Sequence, residues 1–454
     1  MRVMSSWGRL QALPHRVRTL TERTQVAELL GRAAHAEPAA ATASPGAAGI
    51  AHGMGRSYGD VCLNGARGPG LLWHTIGLDR LIAFDPNRGV LTCEAGVLLR
   101  DIQRLMLPRG WLLAVTPGTQ WITVGGAIAN DVHGKNHHAF GTFGDHVLAL
   151  ELARTDGALY RCSPGDHAAL FRATLGGLGL TGVIVTATLQ LRRVAGPWLE
   201  VESEPFGVLD EFFALAAAAA DPAAGWEHTV AWIDCLDRTG RGVFQRARPS
   251  ADPGPAAASA AVAGAPRALP FTPPISLVNR ASLRAFNALY YGRARLGARR
   301  SRQHHEAFSY PLDQIRDWNR IYGPRGFYQY QCVVPAAVAS PATHAMLEAI
   351  AASGLGSFLA VLKTFGDRPC PGLLGFPMAG ATLALDFPNT GAATLRLFDT
   401  LDAIVAEAGG RLYAAKDARM PRALFAAGQP NLAAFHAWRD PGMASDLSRR
   451  LLDD

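Results

Sequence analysis

The segment Val183–Leu191 reads V-I-V-T-A-T-L-Q-L, an alternation of apolar and polar positions that predicts a half-buried strand. Gly89–Val97 predicts another. Leu98–Leu107 instead carries apolar residues at three- and four-residue spacing, which predicts an amphipathic helix ending near Pro108-Arg109-Gly110. Val147–Thr155 is apolar and strand-like. Asp156-Gly157 predicts a hairpin turn leading into a strand over Ala158–Cys162. Asp166–Leu175 predicts a short helix with Asp166 at its N-cap. Elements mixed in this way predict an α+β fold and argue against a repeating βαβ unit. A second region runs from Pro197 to about Gly410. It holds one low-complexity stretch, Ala247–Pro274, whose Ala and Pro content predicts a mobile loop. From Arg411 the motif density rises again, and the chain ends in a predicted polar helix. No internal repeat is visible.

Composition narrows the class. In 454 residues, 49% are hydrophobic and 18% charged, which excludes a mostly disordered chain. The 48 glycines follow no triplet period, so a collagen-like chain is excluded. The length predicts two or three domains. The uncharged stretch Ala349–Leu362 is too short to cross a bilayer, and no signal peptide is recognisable. Six cysteines (62, 93, 162, 235, 332, 370) form no CxxC pair, which argues against zinc-ribbon and thioredoxin chemistry. They predict free, mostly buried thiols in a reducing compartment. A cytoplasmic protein is the expected localisation, with a peripheral position at the inner membrane as an alternative and the periplasmic side left open.

Charge adds a local feature. The net charge of +7 is matched by seven arginines between Arg280 and Arg302, a stretch with no acidic residue. Leu283, Phe286 and Tyr290 within it fall at helical spacing and predict one apolar stripe. No nucleic-acid motif accompanies the run, so nucleic acid is not an expected partner. An anionic lipid surface or a lipid phosphate is.

Four glycine clusters lie in the first region: Gly53–Asp60, Thr116–Thr119, Val124–Asn136 and Gly176–Gly182. Successive backbone N–H groups in such loops bind anions, and a diphosphate needs several of them. The first cluster is not a G-x-G-x-x-G fingerprint and polar Asp60 follows it, which argues against a dinucleotide-binding βαβ unit. No G-K-[ST] loop occurs.

The strings G-R-S-Y-G-D (55–60), T-P-G-T (116–119) and V-G-G-A-I-A-N-D-V-H-G-K-N-H-H (124–138) resemble the flavin loops of the vanillyl-alcohol-oxidase-type (PCMH) FAD oxidoreductases. H-G-K-N-H-H followed by G-T-F-G-D-H-V (141–147) is similar to the decaprenylphosphoryl-β-D-ribose 2′-oxidase branch of that family. Ala231-Trp232, Trp318-Asn319-Arg320, Gln329-Tyr330-Gln331, Leu362-Lys363, Asp386-Phe387-Pro388 and Gly410–Asp417 continue the likeness in order.

The resemblance implies a PCMH-type FAD domain, residues 1–195 closed by 411–454. An α+β substrate domain, an antiparallel sheet with flanking helices, is inserted at 196–410. It implies FAD held by Ala51, His52, Gly53, Met54, Gly55, Arg56, Ser57, Tyr58, Gly59, Asp60, Val61, Gly118, Thr123, Val124, Gly125, Gly126, His133, Gly134, Lys135, Asn136, Ile184 and Tyr413. Many members attach FAD through a histidine of the first loop. Ser57 and Tyr58 stand there instead, which predicts non-covalent FAD. The implied reaction takes an alcohol to a ketone at the sugar C2, the first half of an epimerisation to the arabinose donor in cell-wall synthesis.

Lys416, His133 and Lys135 are the expected catalytic residues: Lys416, in an apolar setting and also expected at the substrate, as base or polarising group, and His133 and Lys135 beside the flavin, positioning it or the substrate. Gln329, Gln331, Lys363, Trp232 and Ala384 are expected at the substrate. Two positions depart from the mycobacterial pattern. Ala384 replaces a cysteine, and Ser309, beside Tyr310, replaces a tyrosine. Reagents that capture the pocket cysteine are therefore not expected to label this protein. A separate NAD(P)H-dependent short-chain reductase would consume the product, and quinone or oxygen would take the electrons. His137 and His138 raise a metal reading, but no supporting ligand spacing follows, and no metal is expected. An oxidase of a free sugar, alditol or aldonolactone is the second reading. A flavin-binding accessory protein without turnover is the third.

Overall fold

The alternating strand Val183–Arg193 is the centre of a six-stranded sheet. It pairs antiparallel with Val90–Glu94 on one side and Val147–Ala153 on the other, and its far end pairs with Trp111–Leu113. Leu81–Asp85 and Leu159–Cys162 form the edges. The helix Leu99–Met106 lays Leu99, Ile102 and Met106 against this sheet, where Leu91, Leu150 and Leu189 are buried with them. Each such side chain contributes about 1.5–3 kcal/mol by leaving water. The hairpin turn is at Asp156-Gly157, with Gly157 at φ +83° and Asp156 Oδ1 accepting from the Ala158 N–H at 2.8 Å. The computed structural model describes residues 1–35, 49–254 and 267–453.

The expected helix after Cys162 starts later than predicted. It covers Ala168–Thr174, and the residue before it is His167 at φ 47° with no side-chain cap. Asp166 is spent in a turn, its N–H donating to Ser163 Oγ and its carboxylate 2.9 Å from His167 Nδ1. A local side-chain contact thus outcompeted the cap.

A four-stranded sheet precedes the six-stranded one. In it Ala12–Thr19 pairs antiparallel with Arg2–Ser5 and parallel with Leu71–His74, which pairs parallel with Ile50–His52. From residue 198 the chain builds an eight-stranded antiparallel sheet. Its order is Arg300–His304, Trp198–Phe206, Gly242–Pro249, His228–Ile233, Ala360–Phe365, Gly380–Pro388, Phe327–Pro335 and Arg411–Leu412. Helices Leu209–Ala220, Ala339–Ser353 and Ala392–Glu407 cover one face with Phe212, Met346, Ile350 and Phe398.

Two expected boundaries move. Arg411–Leu412 pairs with Phe327–Pro335, so the large sheet runs past residue 410. Ala247–Pro249 ends a strand, and Arg267–Ala268 pairs with Ile315–Arg316, so the loop read over 247–274 is shorter at both ends. Residues 255–266 of that loop lie outside the described residues. Beyond the large sheet the chain folds back. Asp446, in the terminal helix Asp446–Leu451, accepts from the N–H groups of Gly65 and Ala66, and Arg450 pairs with both Asp60 and Asp417. All six cysteines are free, four of them buried. Among the described residues no helix is long and apolar enough to cross a membrane.

Candidate active site

All four glycine clusters line one cavity of about 920 Å³, whose opposite wall is the large sheet. The first loop supplies Gly53 through Tyr58, and among the described residues the N–H groups of Met54, Gly55, Arg56 and Ser57 meet no acceptor in the protein. Close packing holds this loop. A Cβ on Gly53 would lie 2.5 Å from Thr123 Oγ1. That hydroxyl also caps the helix Val124–Ala129 by accepting from the Gly126 N–H at 3.1 Å. Around Gly118 a Cβ would meet nothing within 4 Å, so this turn presents bare backbone to the cavity.

Titratable groups gather where the large sheet meets the third glycine cluster. In the register of the large sheet Gln329 faces Asp386 and Gln331 faces Ala384, and all four line the cavity. The two amides alternate on one strand face. The Gln329 amide donates to Asp386 Oδ1 at 2.6 Å, and the Gln331 amide donates to His133 Nε2 at 3.0 Å. The proton of His133 is thereby assigned to Nδ1, which is buried and has no partner. Phe365, Phe376 and Tyr413 enclose the ring with centroids at 4.9, 5.4 and 5.2 Å. Burial holds His133 well below the usual histidine range, with Lys363, His137 and Lys416 adding repulsion, so the imidazole is neutral.

Three lysines enter the same cavity. Lys416 Nζ lies 4.1 Å from the centroid of the Tyr58 ring. Burial pulls its pKa down, and the nearby Asp386 pulls it partly back. Burial likewise raises the Asp386 carboxyl, against the Gln329 hydrogen bond and Lys416. Lys363 Nζ donates to the Gly134 carbonyl at 3.2 Å, and burial with repulsion from Lys135 and Lys416 brings it to about 7. Lys135 donates to the Phe308 carbonyl and is lowered to about 8 by burial. Cationic groups that disfavour each other's charge make a site that an anion would complete.

Most of the residues expected at the site line the cavity: Ala51, Gly53–Tyr58, Val61, Gly118, Thr123, Gly125, Gly126, His133–Asn136, Ile184, Trp232, Gln329, Gln331, Lys363, Ala384, Tyr413 and Lys416. Four do not. His52 turns under the loop, its Nδ1 bonded to the Cys62 carbonyl at 2.9 Å. Gly59 is pressed on the Asp417 carbonyl, and Asp60 is paired with Arg450. Val124 is buried in the core against the six-stranded sheet. Ser309 lines the cavity, while Tyr310 turns away to bond Gln103 and Thr116, each at 2.6 Å. His138 Nε2 bonds the Trp226 carbonyl at 3.1 Å, and His137 packs on Phe365, so the two rings do not converge.

Asp386 and Asp313 were not among the expected site residues. Asp313 lines the cavity, accepts from the Gln120 N–H at 2.9 Å and faces Arg56. The D-F-P string was visible, but nothing in one strand says that its Asp faces a lysine from a distant turn.

Residues 33–163 match the FAD binding domain family. The chain is 36% identical over 419 residues to decaprenylphosphoryl-beta-D-ribose oxidase of Mycolicibacterium smegmatis, covering 88% of each chain. The chain belongs to the decaprenylphosphoryl-β-D-ribose oxidase family of FAD-dependent oxidoreductases. An uncharacterised Streptomyces coelicolor protein is 35% identical over its whole length and 78% of this chain. Mouse L-gulonolactone oxidase is 33% identical over 140 residues, 30% of each chain. The cavity fits the family's cofactor. Unpartnered N–H groups of residues 54–57 suit a diphosphate, and bare backbone at Gly118, Gly125 and Gly126 leaves room for close approach.

Proposed function

We propose that this enzyme oxidises the 2′-hydroxyl of a polyprenylphosphoryl-β-D-ribose to the 2-keto sugar. The observation that carries the reading is the trio of buried lysines 135, 363 and 416, gathered with two strand amides and the glycine loops around one cavity. FAD, held by residues of 1–195 and 411–454, supplies the hydride acceptor when bound. The region 196–410 supplies the substrate wall. Lys363 and Lys135 pair with the substrate phosphate, whose charge favours the ammonium form of both. Gln329 and Gln331 present amide oxygens to the sugar hydroxyls. Trp232 is fixed by its N–H bond to the Phe358 carbonyl at 3.0 Å and walls the sugar. Neutral Lys416 takes the 2′-hydroxyl proton as the C2 hydride departs, leaving a ketone, and Asp386 stabilises the ammonium so formed. Neutral His133 positions the reacting partners without adding a charge. A short-chain NAD(P)H-dependent reductase would consume the ketone, and a quinone or oxygen would take the electrons.

Anaerobic mixing with polyprenylphosphoryl ribose is expected to bleach the flavin absorbance. Bleaching by a free sugar or an aldonolactone but not by the lipid-linked ribose would overturn the reading, as would no bleaching by any of them.

FAD is expected to be non-covalent. No histidine of the first loop lines the cavity, and the Cys62 thiol that does is raised to about 12 by burial, hence protonated. Acid precipitation should leave colourless protein and a yellow supernatant; colour on the pellet would refute this.

A further inference from the structure

The helix Arg280–Leu296 has two apolar faces, and the molecule uses one of them. Facing inward, Leu283 is buried, and Phe286 and Tyr290 stack with centroids 5.7 Å apart. Phe286 meets Phe358 at 4.9 Å and Tyr290 meets Trp232 at 4.6 Å, so two residues of the stripe legible in the sequence line the cavity, while Leu283 packs in the core beside it.

The outward face was not expected. At 100° per residue, Ala281, Ala285, Ala288, Leu289, Gly292 and Leu296 fall within one narrow sector. Leu289 is 72% exposed and Leu296 91%. Arg284 and Arg295 border this sector on one side and Arg293 on the other. Arg300 is paired with Glu202 and Arg302 with Asp252, but among the described residues Arg280, Arg284, Arg293, Arg295 and Arg299 have no ionic partner. Ile275 and Leu277, just before the helix, are also exposed, at 71% and 48%. An exposed apolar sector between unpaired arginines, with no acidic residue in the run, matches the chemistry of an anionic bilayer surface.

We propose that the outer face of Arg280–Leu296 docks this protein on anionic membranes. The cavity mouth, where Tyr290, Pro311, Ile315 and Arg316 are both exposed and lining, opens beside this helix. Docking therefore places the mouth at the headgroup layer, where a polyprenyl tail stays in lipid while the sugar phosphate enters. This consequence rests on the proposed function; the docking itself does not.

The test is co-sedimentation of the FAD-loaded protein with phosphatidylcholine vesicles, with and without phosphatidylglycerol. Binding is expected only with phosphatidylglycerol, falling as salt rises. Leu289→Asp/Leu296→Asp and Arg293→Glu/Arg295→Glu are each expected to lower partitioning at least tenfold. Both should retain turnover of a water-soluble short-chain prenylphosphoryl ribose. Equal partitioning of wild type and both variants would overturn the proposal. So would absence of wild-type binding, or a wild-type dimer in sedimentation that the leucine variant dissolves, which would assign the face to a second copy. Vesicle binding without flavin bleaching by the soluble substrate would sink the proposed function and leave the docking standing.

Discussion

Replacing Lys416 by methionine is expected to lower turnover by about 10²–10⁴, the range for a positioned general base, while FAD remains bound. Methionine keeps the apolar stem over the Tyr58 ring and removes the amine. Rapid-reaction measurement of flavin bleaching checks it, and a loss below tenfold would remove Lys416 from proton transfer. The pH dependence follows from the same pair. The base must be neutral, so the rate should climb with pH through the Lys416 pKa and level above it. Burial holds that limb well below the ordinary lysine value of 10.5. Asp386 favours the charged amine, so Asp386→Asn should lower the pKa further and move the limb to lower pH. Lost packing alone would lower the rate without moving the limb. A limb that moved to higher pH would contradict this pairing.

Gly59→Ala is expected to destabilise the fold more than any change at the cavity wall. A Cβ there would lie 1.6 Å from the Asp417 carbonyl oxygen and 2.8 Å from Ala418 Cα, both backbone atoms. Neither can rotate away, so the loop and the turn carrying Lys416 must separate. Overpacking of this kind costs about 3 kcal/mol or more, which corresponds to a Tm roughly 6–12 °C lower for a domain of this size. Gly292→Ala is the control, because a Cβ there meets nothing within 4 Å. Thermal denaturation of both variants, with flavin fluorescence as a second readout, checks the expectation. Equal Tm values would show that the two segments are not locked together.

Periodicity made the secondary structure legible where neighbours alone decide it. The expected half-buried strand holds over Ala187–Leu191, where Thr188 and Gln190 are only partly buried, but Val183–Thr186 is buried on both faces. The hairpin at Asp156-Gly157 needs a positive φ that glycine supplies. The expected cap at Asp166 does not form because its carboxylate contacts His167 Nδ1 and its N–H is held by Ser163 in a turn. Most of the expected site residues do line the cavity, since flavin loops demand small residues in a set order, but they make up only a minority of its lining. Asp386 was not legible, because its meaning comes from a strand register with Gln329 and from a lysine thirty residues away. Tyr310 illustrates the same limit: its direction is set by Gln103 and Thr116, some two hundred residues earlier. The two faces of Arg280–Leu296 were half legible, since spacing gives a stripe but not the side on which the protein lies.

The clamp of Arg450 on Asp60 joins residues 390 positions apart. During synthesis, at roughly 5–20 residues per second, the chain must wait about 20–80 s between making one partner and the other. The sheets can form in that interval, but the first loop lacks its tie to the terminal helix until residue 450 has left the ribosome. The cavity wall that carries Tyr413 and Lys416 is likewise missing until late in synthesis, so the complete cofactor site does not exist on a shorter nascent chain.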